Sequence, residues 1–185
     1  MKIIMLILSV FFMTSCATVP SDVPMESNQR GTIMIEEGNI QSAMESYGIK
    51  VNRVMNFRTS DGLELVNENR ILRNYEEFEQ YNLDYQITEN PFFIDEQSLS
   101  DLEKVDRTFF EKKGFIAVVL VESSGSNSVT GEGIVMKDKV AEALVNRSEA
   151  GMGTADMATR HVLYELSQED LQMIQEVRVI FNIAP

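Results

Sequence analysis

The spacing of apolar residues changes several times along this chain, and each spacing predicts a different element. Residues 115–121 are apolar without interruption and include three valines, which is typical of a strand buried on both faces. The stretch 129–136 is predicted to be its partner strand, and alternating apolar residues over 177–183 predict a closing strand. A similar alternation on both sides of a Ser-Asp-Gly turn at 60–62 predicts a hairpin over about 49–68.

Apolar residues three or four positions apart predict several amphipathic helices. Asn39 is a good cap for the first of them and Gly48 a good end, while Ser100 and Glu103 form a capping box for another. The predicted helices cover residues 39–47, 70–81, 100–113, 140–147 and 154–166, with a shorter helical stretch at 167–175.

These elements predict an α+β fold with a mixed or antiparallel sheet and several helices. Read coarsely, 39–89 and 100–183 share an order of elements, so two related helix-hairpin-helix-strand halves are an alternative to one irregular domain. The halves have little sequence identity. We predict a single globular domain over 31–185, with an internal boundary near 90–99, where an Asn-Pro pair interrupts the pattern.

The beginning of the chain differs from the rest. Lys2 provides a positive start, and the apolar run over 3–13 is too short for a spanning helix, which needs about 20 apolar residues. Thr14 and Ser15 are small, and they lead directly to Cys16, the only cysteine. This order of charge, apolar core, small residues and cysteine resembles the signal peptide and lipobox of bacterial lipoproteins.

The resemblance implies cleavage after residue 15. It also implies that Cys16 is acylated at two places, on its sulfur and on the new amino terminus, with palmitate-type chains. Two or more acyl chains make membrane attachment persistent. Ala17 stands where enteric-type bacteria use aspartate for inner-membrane retention, so the outer membrane, facing the periplasm, is the expected location. The inner membrane and the cell surface remain alternatives. Residues 16–30 have the polar, proline-containing composition of a flexible tether.

Charge narrows the range of partners. The formal net charge is −13, and clustered cations, which nucleic acids and anionic headgroups require, are missing from the sequence. We therefore expect no nucleic-acid partner. The lipoprotein resemblance implies membrane contact through the N-terminal lipid, and we expect the acidic domain to attract a protein partner with a basic surface.

The sequence offers little catalytic chemistry. His161 is the only histidine, and no Gly-x-Ser-x-Gly motif supplies a nucleophile for it. We expect it to be a surface or half-buried residue. With no second histidine, no free thiol and no Asp-x-Asp-x-Asp-Gly loop, the sequence predicts no metal, no cofactor and no catalytic residue.

Glycine-containing loops are the first place to look for a ligand or partner site. One group surrounds the hairpin after the central strand, and the other is predicted to open a helix whose N–H groups could hold an anion. Neither group has the spacing of a phosphate-binding loop. The candidate residues are Ser124, Gly125, Asn127, Gly131, Gly133, Gly151, Gly153 and Thr154.

The sequence thus favours a lipid-anchored cell-envelope protein that binds another protein or assists an envelope complex, without evident chemistry of its own. Two alternatives stay open. One is a hydrolase of envelope material such as peptidoglycan, which would need convergent carboxylates or a serine in contact with His161. The other is a periplasmic carrier of a small apolar ligand, which would need an apolar cavity instead of a filled core.

Overall fold

The computed structural model describes residues 46–59, 66–89 and 91–183. The chain divides into two units, residues 1–41 and 42–185, and every described residue belongs to the second. The predicted signal peptide, Cys16 and the tether over 16–30 lie outside the described residues. So does most of the predicted helix over 39–47, whose last two residues are in a strand.

The described residues form eight strands, three α-helices and one 3-10 turn. The strands are β1 (Ser46–Ile49), β2 (Arg53–Thr59), β3 (Glu68–Leu72), β4 (Lys113–Glu122), β5 (Ser128–Lys137), β6 (Val140–Ser148), β7 (Ala158–Ser167) and β8 (Glu176–Ile183). The helices are α1 (Tyr75–Tyr85), α2 (Glu96–Leu102) and α3 (Gln168–Met173), and the 3-10 turn is Phe109–Glu111.

The strands form two four-stranded sheets, which confirms the predicted α+β class. The central sheet has the order β2-β7-β4-β3 and the outer sheet the order β1-β5-β6-β8. All pairs in the central sheet are antiparallel. The outer sheet is mixed, because β8 runs parallel to β6.

The central sheet is packed on both faces. Ile116, Val118 and Val162 point from it toward the outer sheet and share one apolar cluster with that sheet's residues. Phe115 and Leu163 point the other way and pack against residues of α1 and α2. The predicted buried strand at 115–121 is therefore confirmed as β4, and its neighbour β7 is equally buried. No helix of the described part is both long and apolar enough to cross a membrane.

Two predicted helices, 140–147 and 154–166, are wrong because these residues belong to strands β6 and β7. In β6, Ala141, Ala143 and Val145 are all 0% exposed and alternate with less buried neighbours. Alanine and leucine give the segment helical propensity, but burial of one face between strands decides its structure.

The predicted hairpin over 49–68 is also wrong. Strands β2 and β3 lie at opposite edges of the central sheet, because β7 and β4 are inserted between them. The strand predicted at 129–136 exists as β5, but it pairs with β1 and β6 in the outer sheet instead of with β4. Long-range pairing of this kind leaves no local signal in the sequence.

Capping explains where the helices begin. The predicted helix over 100–113 is wrong in its bounds, because α2 ends at Leu102 and Ser100 lies inside it. Asp95 caps α2 instead, by accepting a hydrogen bond from the Ser98 amide at 2.9 Å. The helical stretch predicted to begin at Ser167 is confirmed as α3, with the Ser167 hydroxyl accepting from the Asp170 amide at 3.1 Å. The strand predicted at 177–183 is confirmed as β8. Since strands replace two helices of the second half, the order of elements gives the duplication no support.

Candidate functional site

A groove lies at the end of the sheets where β2 and β4 end and where β5 and β7 begin. Its volume is about 480 Å³. We call it the loop groove, and it is lined by Asn56, Phe57, Phe93, Gly125, Ser126, Asn127, Ser128, Val129, Thr130 and Arg160. Polar and apolar side chains thus share one concave surface, as they do in binding sites.

Two loops are hydrogen-bonded to each other beside the groove. In the loop between β4 and β5, the Gly125 amide donates to the carbonyl of Asp156 at 2.9 Å. The Ser126 hydroxyl accepts from the Thr154 amide at 3.3 Å, and the Asn127 side-chain oxygen accepts from the Ala150 amide at 3.2 Å. The loop over 149–157 is therefore held against the loop over 123–127.

This arrangement brings several of the predicted site residues together. Ser124 lies 3.4 Å from Thr154, hydroxyl to hydroxyl. Glycine favours the close approach, because a Cβ on Gly125 would lie 2.3 Å from an Asp156 carboxylate oxygen and one on Gly153 would lie 2.5 Å from the Ser124 hydroxyl, so these side chains would have to shift. The contact between the two glycine-containing loops could not be read from their spacing in the sequence.

Three other predicted positions do not form part of this contact. Gly131 and Gly133 lie within β5, at a shift in its register with β6, and not in a loop. A Cβ on Gly131 would lie 2.4 Å from a Val162 methyl, so this glycine allows the sheets to approach. Around Gly133 and Gly151 the corresponding space is empty to 4 Å. The segment 151–154 does not open a helix, because it leads into strand β7.

Two arginines face each other across the strand pair at this end. Arg58 of β2 and Arg160 of β7 are direct partners in the register. The Arg58 guanidinium lies 3.0 Å from the Asp156 carboxylate. Nη2 of Arg160 donates to the carbonyls of Gly125 and Asn127 at 2.7 and 2.8 Å. Arg160 therefore holds the loop over 123–127 through hydrogen bonds to uncharged backbone carbonyl groups.

The charge of Arg160 is incompletely compensated. Its Nε–H is buried and has no hydrogen-bond partner, and within the described residues Arg160 takes part in no ion pair. Burial, together with the neighbouring positive charge of Arg58, lowers the pKa of the Arg160 guanidinium. A partly buried cation without a carboxylate is costly, so this residue is an unusual feature of the groove.

Glu122 is a buried carboxylate that positions Asn127, one of the lining residues of the groove. Glu122 is 2% exposed, and it accepts hydrogen bonds from the side-chain NH₂ group of Asn127 at 2.8 Å and from Arg147 Nε at 2.8 Å. Burial alone would raise the pKa of Glu122, but the hydrogen bonds from Arg147 and Asn127 lower it overall. The carboxylate therefore stays ionised and fixes Asn127, a lining residue of the groove.

An exposed aromatic side chain closes one side of the groove. Phe92 forms an isolated bridge with Arg58 on the free edge of β2, with amide-to-carbonyl distances of 2.7 and 2.9 Å. The next residue, Phe93, has a φ of 55° and is 77% exposed. Its ring centroid lies 5.7 Å from the guanidinium carbon of Arg160, which is within the range of a cation–π contact. A bulky residue rarely adopts this backbone conformation, so the ring is presented at some conformational cost.

The only histidine lies elsewhere, inside the layer between the central sheet and α1. The Tyr81 hydroxyl lies 2.6 Å from His161 Nδ1, and the Thr59 hydroxyl lies 2.8 Å from Nε2. His161, Tyr81 and Thr59 are all at most 1% exposed. Phe57 stacks on the imidazole with ring centroids 5.0 Å apart. The expected surface or half-buried position is therefore wrong.

The geometry of His161 favours a structural role. Each ring nitrogen has a hydroxyl partner, which satisfies one tautomer of a neutral imidazole. Burial lowers the pKa of His161 to about 3, so the ring is neutral near pH 7. Its hydroxyl partners are threonine and tyrosine, and neither is exposed to a substrate. Among the described residues, no cluster of three or more His, Cys, Asp or Glu side chains could hold a metal ion.

The residues that sequence reasoning missed are Phe93, Arg58, Arg160, Glu122 and Asp156. The pair of phenylalanines directly after the Asn-Pro break was an available signal, since neither fits a helix or strand pattern. The charged residues had no such signal. Their proximity depends on the antiparallel pairing of β2 with β7 and of β4 with β7.

Comparison with known proteins adds no relative from which a role could be transferred. No protein-family model, no curated protein and no solved structure matches this chain. The function is therefore inferred from the geometry of the groove and from the beginning of the sequence.

Proposed function

We propose that this is a lipid-anchored protein of the bacterial cell envelope that binds another protein through the loop groove. The observation that carries the proposal is the pairing of an exposed Phe93 ring with the Arg160 guanidinium on a rigid support. Aromatic residues and arginine dominate the energetic centres of protein interfaces. Anchoring through Cys16 to the periplasmic face of the outer membrane would raise the local concentration of the groove toward partners at that surface.

The conformation of Phe93 supports a binding role. Left-handed backbone costs a non-glycine residue about 1–2 kcal/mol, and the exposed ring recovers little of this by burial in the free protein. Strain of this kind concentrates at binding and catalytic sites. The bridge between Phe92 and Arg58 fixes the backbone of the preceding residue, which lowers the entropic cost of ordering the segment on binding.

The two alternative functions receive less support. A carrier of an apolar ligand needs an apolar cavity, but both faces of the central sheet are occupied by packed side chains. A hydrolase that uses His161 needs the imidazole at a surface, but the ring is 0% exposed. The loop groove, in contrast, is open and combines donors, acceptors and apolar surface.

Replacing Phe93 should separate binding from stability. Asparagine tolerates the left-handed region, so in Phe93→Asn the folded domain should be as stable as the wild type or up to about 1 kcal/mol more stable. Partner binding should fall about tenfold or more, because an interface anchor is lost. Urea denaturation measures the first effect, and capture of envelope proteins on the immobilised mature chain measures the second.

The matched control is Leu83→Asn, which removes an apolar side chain that is 72% exposed on α1 and does not line the groove. The proposal requires an identified protein that the wild type and Leu83→Asn both enrich and that Phe93→Asn does not. If all three chains enrich the same proteins equally, the groove is not the binding surface.

The anchor is tested separately. In the native host, Cys16→Ser should abolish labelling by a fatty-acid analogue and move the protein from the membrane fraction into the soluble periplasmic extract. Ser15→Ala is a neighbouring control that keeps a small residue before the cysteine and should leave both readouts unchanged. Full membrane retention of Cys16→Ser would overturn the lipid anchor.

A further inference from the structure

Among the described residues that line the loop groove, Arg160 alone is charged. The protein carries a net charge of −13, which by itself would attract basic partners. At the groove, however, Arg58 and Arg160 lie side by side. Among the described carboxylates, Asp156 pairs with Arg58 and Glu122 pairs with Arg147.

Among the described residues, Arg160 forms no ion pair with a carboxylate, although Glu122 and Asp156 lie close enough to act on its charge. Its Nη2 atom is held by two carbonyl oxygens, while its Nε–H has no acceptor in the described part of the chain. A carboxylate in the groove beside the guanidinium would add a negative charge and accept a charge-assisted hydrogen bond from it. The residue lines the groove, so a ligand that enters the groove meets this guanidinium.

Other groups in the groove can assist the same ligand. Asn56 uses its side-chain oxygen to accept from the Gly131 amide at 2.8 Å, which leaves its NH₂ group as a donor. Ser128 and Thr130 contribute hydroxyls to the lining. Phe93 and Val129 provide apolar surface beside them. The lining therefore offers donors for an anion and contacts for a neighbouring apolar side chain.

The anion should carry a single negative charge. Asp156 and Glu122 remain close enough to raise the pKa of Arg160 against the effects of burial and of Arg58. These two carboxylates would repel a doubly charged phosphate more strongly than a carboxylate. A single guanidinium also does not provide the several clustered cations that polyanions require.

We infer that the loop groove recognises an Asp or Glu side chain next to an apolar side chain in an exposed segment of the partner protein. This inference rests on the proposed function, because it names the chemistry of the partner at the same groove. The carboxylate binds at Arg160, and the apolar neighbour packs on Phe93.

Selection from a random peptide library displayed on phage tests the inference without knowledge of the partner. The full mature chain in detergent, captured through a C-terminal tag, is the target. We expect selected peptides to be enriched in an acidic residue adjacent to an apolar one, despite the acidic charge of the target. Selections with Arg160→Gln should lose the acidic preference, whereas Arg178→Gln, which removes an exposed arginine paired with Glu176 on β8, should keep it.

Synthetic versions of one selected peptide then give a quantitative test. Changing its acidic residue to the matching amide should weaken binding to the wild type about tenfold or more. The same change should have less than about a threefold effect on Arg160→Gln if the two groups are in contact. Equal effects on both proteins would overturn the inference, and so would selected peptides without acidic residues or a selection that yields no peptide. If the peptides selected on the wild type contain no acidic residue, the Phe93→Asn experiment still tests binding at the groove. Failure of this inference is therefore distinguishable from failure of the proposed function.

Discussion

Lowering the pH from 6.5 to 4 should cost the folded domain about 3 kcal/mol through His161 alone. The pKa of His161 is about 3 in the folded protein, because burial disfavours the charged ring, and near 6.5 in the unfolded chain. Between these values the unfolded chain binds a proton at His161 that the folded protein does not bind. Stability is therefore full above pH 6.5 and falls by about 1.4 kcal/mol for each pH unit below it.

The experiment is urea denaturation followed by circular dichroism at pH 7, 6, 5 and 4. Many carboxylates also titrate in this range, so the informative quantity is the difference in slope between variants. His161→Gln should be less stable at pH 7, because the hydroxyls of Tyr81 and Thr59 lose their hydrogen bonds to the imidazole. Its stability should nevertheless fall less steeply as the pH is lowered. Tyr81→Phe keeps the buried imidazole and should retain the steep slope. Identical slopes for the wild type and His161→Gln would show that the histidine is not held neutral.

Removing the Glu122 carboxylate should produce the largest loss of stability at the loop groove. Glu122→Ala leaves the Asn127 amide without its acceptor and Arg147 without its buried counterion. It also removes a negative charge that favours the cationic form of Arg160. Breaking a buried pair from one side costs about 3–5 kcal/mol, and since Arg147 is 31% exposed, we expect about 2–3 kcal/mol after allowance for solvent screening.

Glu149→Ala provides the matched control, because its carboxylate also pairs with Arg147, at 2.9 Å, but is 70% exposed. Its expected cost is below about 0.5 kcal/mol. Thermal and urea unfolding of both variants measure the difference, and peptide or partner binding should weaken only in Glu122→Ala, since Glu122 positions Asn127. Similar stabilities of the two variants would mean that burial of Glu122 contributes little.

Local patterns in the sequence identified some elements correctly and others not. The uninterrupted apolar run became β4, and Ser167 caps α3 as predicted, because these signals act within a few residues. Residues 140–147 were assigned to a helix, since Ala, Leu and Glu favour helices in isolation. Their alternating burial between two neighbouring strands overrode that preference.

The candidate site likewise contains some residues that the sequence predicts and others that only the pairing of strands brings together. Ser124, Gly125, Asn127 and Thr154 were identified because serine, glycine and asparagine are typical of loops with unusual backbone geometry. Nothing in the sequence indicated that Arg160 would lie opposite Arg58, because that proximity follows from the register of β2 with β7. In the sequence Phe93 belongs only to a break in the apolar pattern, whereas in the structure its exposure and left-handed backbone make it the most prominent feature of the groove.

The sequence by itself determined the mixed α and β character of the domain, the strongly acidic charge and the lipobox-like beginning, because composition and short motifs are properties of neighbouring residues. Only the tertiary structure decided which strands pair, which side of each strand is buried, and that two loops separated by more than twenty residues meet beside an arginine that forms no ion pair among the described residues. Those features depend on contacts between distant parts of the chain, whose free energy is gained only when the sheets and helices pack together.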